Sequence, residues 1–163
     1  MKRIVLLSWI LLSVGCAFAE NHWQTHFSYN SVQQIAMDKD EVYALANGKM
    51  FSVNQKTEHL TLFTNFSGLH GTEIVQLAYD DVSEQLLIFY SDGKLDILHN
   101  KKVKYVADLY NKQITSSKRC NNVTFKGNMA YLSMDFGILT FDIEEYKFVD
   151  TYYIAPEAKE VQV

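Results

Sequence analysis

Ile74-Val75-Gln76-Leu77-Ala78-Tyr79, the turn formers Asp80, Asp81 and Ser83, then Gln85-Leu86-Leu87-Ile88-Phe89-Tyr90 and Ser91-Asp92-Gly93 form the stretch on which the fold turns. The run Leu86 to Tyr90 is too apolar and too short for an amphipathic helix, and turn residues bound it on both sides, so it reads as a strand. Asp92-Gly93 predicts a two-residue hairpin turn, because the primed turn types need positive φ and glycine supplies it without steric cost. Lys94 to Leu98 alternates polar and apolar, His99, Asn100 and Lys101 turn the chain, and Val103, Tyr105 and Ala107 alternate again. Four short antiparallel strands between Ile74 and Leu109 make a unit the size of one β-propeller blade.

The unit recurs on both sides. Upstream, Val32, Ile35 and Met37 lead through Asp38-Lys39-Asp40 to Val42-Tyr43-Ala44-Leu45, then Asn47-Gly48, then Met50, Phe51 and Val53. Downstream, Val123 and Phe125 lead through Gly127-Asn128 to Met129-Ala130-Tyr131-Leu132, then Asp135-Phe136-Gly137, then Ile138, Leu139 and Phe141. The glycines of the second turn are Gly48, Gly93 and Gly137, spaced by 45 and 44 residues. A period of 40–50 with repeated strand signals predicts an all-β chain, a β-propeller of three four-stranded antiparallel blades at 32–69, 74–109 and 120–155. A plain antiparallel sandwich with evenly spaced hairpins is the alternative. Three blades do not close a ring, so the chain reads as the N-terminal part of a longer propeller with uncovered blade faces at both ends. Residues 20–31 then supply an N-terminal strand in which Trp23, Thr25 and Phe27 alternate and latch a final blade, and 156–163 form a linking tail.

Ahead of these lie Lys2 and Arg3, an apolar run from Ile4 to Val14, and Ala17-Phe18-Ala19, the layout of a secretory signal peptide over residues 1–19. Val14-Gly15-Cys16 offers a rival reading as a lipidation site on Cys16. Cleavage after Ala19 removes Lys2 and Arg3 and leaves 144 residues with 13 basic against 19 acidic side chains, a formal charge of −6. That balance excludes a nucleic-acid binder, which needs a clustered basic patch. Cys120 is then the one cysteine left, which reads as a small buried hydrophobe before a strand, with a reactive thiol as the alternative. Aromatic residues are 13% of the chain and proline occurs once, a composition for a packed β protein.

Chemistry is sparse. Asp38, Asp40 and Glu41 lack the further acidic position and central glycine of a calcium loop, and turn formation explains them. His22 and His26 have the i, i+4 spacing of a helical metal site but lie in a strand-like segment. No nucleophile elbow, phosphate loop or zinc-protease motif occurs, and neither a catalytic residue nor a cofactor is expected. Asn65-Phe66-Ser67 and Asn122-Val123-Thr124 match the glycosylation acceptor pattern. In an up-and-down blade, the turn after the second strand and the connection after the fourth share one face, which gathers the longest and most polar loops. Candidate binding residues on that face are Asn47, His70, Asp92, Lys112, Lys118, Arg119, Asp135 and Phe136. Lys112, Lys118 and Arg119 make a local positive cluster, either a solvated loop or a contact to an anionic glycan.

The segment Trp23-Gln24-Thr25-His26-Phe27-Ser28-Tyr29-Asn30, with Val42-Tyr43-Ala44-Leu45, Gly68-Leu69, Gly93, Asp96-Ile97 and Phe136-Gly137-Ile138, resembles the N-terminal propeller of PorZ-like proteins of the Bacteroidetes type IX secretion system. The blades also resemble the broader two-component-regulator propellers. Met50 and Val53 depart from the expected leucine and aromatic. The resemblance implies a non-catalytic binding or scaffold module, exported to the periplasm or cell surface and associated with the outer membrane. It implies a sortase-like protease and outer-membrane proteins as partners, with anionic lipopolysaccharide as the glycan. A polysaccharide-sensing ectodomain of a two-component regulator is the second reading. A propeller lyase or glycosidase is the third, and it would need paired carboxylates at one mouth.

Overall fold

The computed structural model describes residues 31–153. Twelve strands follow one another: β1 (Val32–Met37), β2 (Glu41–Ala46), β3 (Lys49–Asn54), β4 (Leu60–Phe63), β5 (Ile74–Asp80), β6 (Gln85–Tyr90), β7 (Leu95–His99), β8 (Lys102–Val106), β9 (Cys120–Lys126), β10 (Met129–Met134), β11 (Gly137–Asp142) and β12 (Lys147–Tyr153). They pair in sequence order as three separate four-stranded antiparallel sheets, with β1, β5 and β9 innermost and side by side. This is the arrangement of consecutive propeller blades, and the sandwich alternative falls because each sheet closes within its own period. The signal peptide, Cys16, the His22/His26 pair, the Trp23–Phe27 latch and the 156–163 tail lie outside the described residues.

Burial explains the contrast between strand sequences. All six residues of β6 are buried, because the second blade is covered by the first on one face and by the third on the other. A strand covered on both faces reads as a continuous apolar run, hence Leu86-Leu87-Ile88-Phe89-Tyr90. Leu86, Ile88 and Tyr90 pack with Tyr43, Leu45 and Met50 of the first blade, while Leu87 and Phe89 pack with Leu132, Leu139 and Phe141 of the third. β10, covered on one face, alternates buried Ala130, Leu132 and Met134 with outward Tyr131 and Ser133. Each such large side chain contributes about 1.5–3 kcal/mol on burial, so the two seams between blades supply most of the driving force. The outward face of the first sheet shows exposed Ile35, Met37 and Leu60, and that of the third shows Tyr131, Ile138 and Tyr152.

Turn chemistry differs from the sequence reading in three respects. Asn47-Gly48 is a two-residue turn with positive φ at both positions, as that reading requires. At Asp92-Gly93 only Gly93 has positive φ (88°), Gly93 N–H donates to the Tyr90 carbonyl, and Tyr90 N–H bonds the Lys94 carbonyl. This is a three-residue loop, Ser91 to Gly93, with glycine in the left-handed position, not the expected two-residue primed turn. Gly137 opens β11, where a Cβ would lie 2.2 Å from the Tyr152 carbonyl oxygen, so close approach of β12 is what demands glycine there. His99, read as a turn residue, ends β7, and the turn is Asn100-Lys101. The connection from the second blade to the third contains one helical turn, α1 (Asp108–Asn111), which periodicity did not predict. Among the described residues, no helix is long and apolar enough to cross a membrane.

Candidate functional site

The turns after the second strand of each blade and the two connections between blades lie on one face, as topology predicts. Ile74 N–H donates to the Gly48 carbonyl (3.0 Å), Lys49 Nζ to the Thr72 carbonyl (2.6 Å) and Ser91 N–H to the Glu73 carbonyl (3.0 Å), so each hairpin is stitched to the neighbouring connection. Lys118 Nζ reaches the Tyr110 carbonyl (2.6 Å) within the second connection, Asn121 Nδ2 reaches Asp135 Oδ1 (2.7 Å) within the third blade, and the Ser117 hydroxyl of the connection bonds Asp135 of the third hairpin.

The deepest element of this face is Asp96 in β7, which has no solvent exposure. Its carboxylate accepts three hydrogen bonds, from His70 N–H (2.8 Å), His70 Nδ1–H (2.8 Å) and the Tyr90 hydroxyl (2.7 Å). A buried carboxylate persists because such donors replace its water. Burial, then the bond to Asp96, raises the Tyr90 phenol above its ordinary range. His70, a candidate contact residue, is thereby held: its ring stacks on Tyr105 with centroids 4.5 Å apart and keeps one edge in solvent. Beside it, Lys94 Nζ bonds Asp92 (2.7 Å) and lies 4.5 Å from the Tyr110 ring centroid, with Lys118 Nζ at 5.9 Å from the same ring. The bond to Asp92 raises the Lys94 ammonium. The result is an aromatic patch edged by cations, which suits stacking and charge recognition.

The three cations of the expected positive cluster have different neighbours. Lys118 is tied to Tyr110, Arg119 lies near Asp135, and Lys112 lines a cleft beneath α1. The Ser117 hydroxyl, the Asn121 amide and the nearby Arg119 charge hold Asp135 below the usual carboxylate range. Phe136 is buried rather than presented, 6.1 Å from Tyr153 between ring centroids. Phe66, in contrast, is fully exposed on a short 3-10 turn whose ends are fixed by a Thr64–Ser67 capping box and left-handed Gly68. In sequence, Asn65-Phe66-Ser67 shows a glycosylation pattern within the inter-blade loop 65–72 of the same face, and Thr64-x-x-Ser67 with the following Gly68 is the local signal for the short turn that presents Phe66.

At the opposite end, Asp38 Oδ1 accepts from Asp40 N–H (2.7 Å) and Glu41 N–H (2.6 Å), which is the turn chemistry expected of this acidic run. Among the described residues, no three His, Cys, Asp or Glu side chains gather as a metal site. Cys120 is buried, and burial pushes its thiol up to about 12, which disposes of the reactive-thiol reading.

Twelve strands in three radially ordered sheets define a β-propeller domain. The chain belongs to the PorZ N-terminal beta-propeller domain family of the type IX secretion system, which matches residues 42–163. Among solved structures it is similar to PorZ of Porphyromonas gingivalis, described as an essential bacterial surface component of that system, with 30% identity and a TM-score of 0.74. That match covers 79% of this chain and 18% of PorZ, so the chain spans less than a fifth of that protein's length. It also shares its fold with the extracellular domain of the hybrid two-component system BT4673 of B. thetaiotaomicron, at 16% identity and TM-score 0.62, covering 80% of this chain and 18% of that one. The extracellular domain of BT3049 from the same organism is similar at 15% identity and TM-score 0.57, covering 76% and 17%. No curated protein matches the chain in sequence.

Proposed function

We propose that the chain is a binding module of a PorZ-like surface component, and that it helps attach exported cargo at the outer membrane by holding partners, without catalysis. The observation that carries this reading is family membership together with 30% identity to PorZ over most of the chain. The face built from stitched turns and connections supports it, since a rigid scaffold presenting loops is the usual geometry of recognition. Contact falls to Asn47, Asp92, Lys112, Lys118, Arg119 and Asp135, with the rim of His70, and to Phe66 and Tyr110, whose large side chains are exposed. Partners are a sortase-like protease and outer-membrane proteins of the same system, and anionic lipopolysaccharide is the glycan. Deletion of the gene leaves type IX cargo unattached. Complementation with Phe66→Ala plus Tyr110→Ala restores a stable protein but not attachment, whereas Asp38→Ala restores both. Normal attachment in the deletion strain overturns the proposal. The shared fold with regulator ectodomains favours a second reading as a sensor, which requires a spanning helix and a kinase encoded in the same gene.

A further inference from the structure

The loops over the two seams between blades are built differently. Over the first seam, Asp96 draws the segment around His70 inward, Leu69 is buried, and a Cβ on Gly71 would stand 2.2 Å from the Tyr90 ring. Ile88 and Leu132 hold the same place, third from the end of β6 and β10, and they pair with Asp96 and Leu139 respectively. The third blade thus carries a leucine where the second carries the anchoring carboxylate. The segment over the second seam, including α1, lacks that anchor, and a cleft of about 370 Å³ remains between it and the third sheet.

The apolar lining of the cleft includes buried Leu139, Phe148 and Phe136, together with Tyr153. At its rim are Asp108, Asn111 and Lys112, on one helical turn and the residue after it. Asp108 and Lys112 have the i, i+4 spacing at which opposite charges pair, and yet no ion pair joins them. An apolar pocket of this size with a few converging polar groups is the general form of a small-molecule site. A carboxylate, an amide and an ammonium beside an apolar lining complement a ligand with a cationic group, an anionic group and a large apolar body.

We infer that this cleft binds a large apolar α-amino acid, its side chain on Leu139 and Phe148, its ammonium on Asp108 and its carboxylate on Lys112 and Asn111. The site is independent of the attachment reading: either can fail alone, because one is read as ligand affinity and the other as cargo retention. The test is calorimetric titration of the mature full-length protein with L-phenylalanine, 3-phenylpropionate, 2-phenylethylamine and glycine. L-Phenylalanine binds, and each analogue, lacking one charge or the side chain, binds at least about tenfold more weakly, roughly 1.4 kcal/mol. Asp108→Asn and Lys112→Ala change exposed or rim positions, keep the parental melting temperature, and each weaken L-phenylalanine by about tenfold or more. Asp108→Asn leaves 3-phenylpropionate unchanged, which separates lost ammonium recognition from a damaged cleft. No heat with L-phenylalanine up to about 10 mM overturns the inference. So does equal affinity for the two single-charge analogues and the amino acid, or parental binding by both variants.

Discussion

Replacing Asp96 by alanine strips three donors of their acceptor at once. The His70 ring keeps an edge in water and rehydrates, but the His70 N–H and the Tyr90 hydroxyl lie under the loop at 2.8 and 2.7 Å from the lost carboxylate. Each buried donor left unpaired costs about 1–3 kcal/mol, which places the loss near 4 kcal/mol. Against the 5–15 kcal/mol typical of a domain, that is enough to free the covering segment without unfolding the blades. A multidomain protein has no single unfolding free energy, so the readout is hydrogen exchange by mass spectrometry on peptides spanning 66–75 of the mature protein. At about 1.4 kcal/mol per decade, exchange there speeds up by roughly a thousandfold, while peptides from β10 and β11 stay protected. Asp96→Leu combined with Tyr90→Phe recovers the part due to the phenol, about 1–3 kcal/mol, because removing both partners leaves no orphan hydroxyl. Leu139 occupies the corresponding place in the third blade, so a leucine fits that position in the repeat. Exchange in Asp96→Ala within about twofold of the parent would refute the claim that this carboxylate anchors the loop.

Cys120 does not react with a disulfide reagent at pH 8 in the folded protein and reacts at once in guanidinium; fast labelling of the native state counts against its burial. Its folded value near 12 exceeds the ordinary 9.0, so stability is unaffected below that ordinary value and declines as pH rises from there towards 12, and Cys120→Ala flattens that decline. Gly137→Ala forces a methyl to 2.2 Å from the Tyr152 carbonyl at a φ of 148°, and it lowers stability by roughly 2–4 kcal/mol in thermal melts. Gly127→Ala has open space around it, costs about 1 kcal/mol, and serves as the control. Asp135 titrates below 3.8, so its stabilising contribution is complete above the ordinary carboxylate value and is lost as pH falls through the lower folded value. Asn121→Ala moves its NMR midpoint back up, and an ordinary midpoint in the parent contradicts the Asn121 and Ser117 contacts.

Strands were legible because their signal is local. Two-residue alternation and turn formers lie within a few positions of each other, and β6 advertised burial on both faces by losing alternation altogether. Loop geometry was less legible, since Asp92-Gly93 suits a primed turn or a three-residue loop, and the strand pairing on either side chooses between them. The anchor on Asp96 was missed because its partner lies 26 residues away, although an acid within Leu95-Asp96-Ile97-Leu98 is conspicuous in a buried strand. Nearness in sequence groups Lys112, Lys118 and Arg119 but does not reveal what each side chain meets. The chain turns between them, and each meets a different neighbour.

The placing of Asp96 in one blade and Leu139 in the next has a mechanical consequence. Three directed hydrogen bonds resist sliding and tilting, because each fails once its donor moves by about an ångström. Apolar side chains beside an unfilled cleft resist neither so sharply, since dispersion contacts soften gradually with distance. The first connection is therefore held stiffly against the second blade, while the second connection rests more compliantly beside its cleft on the third.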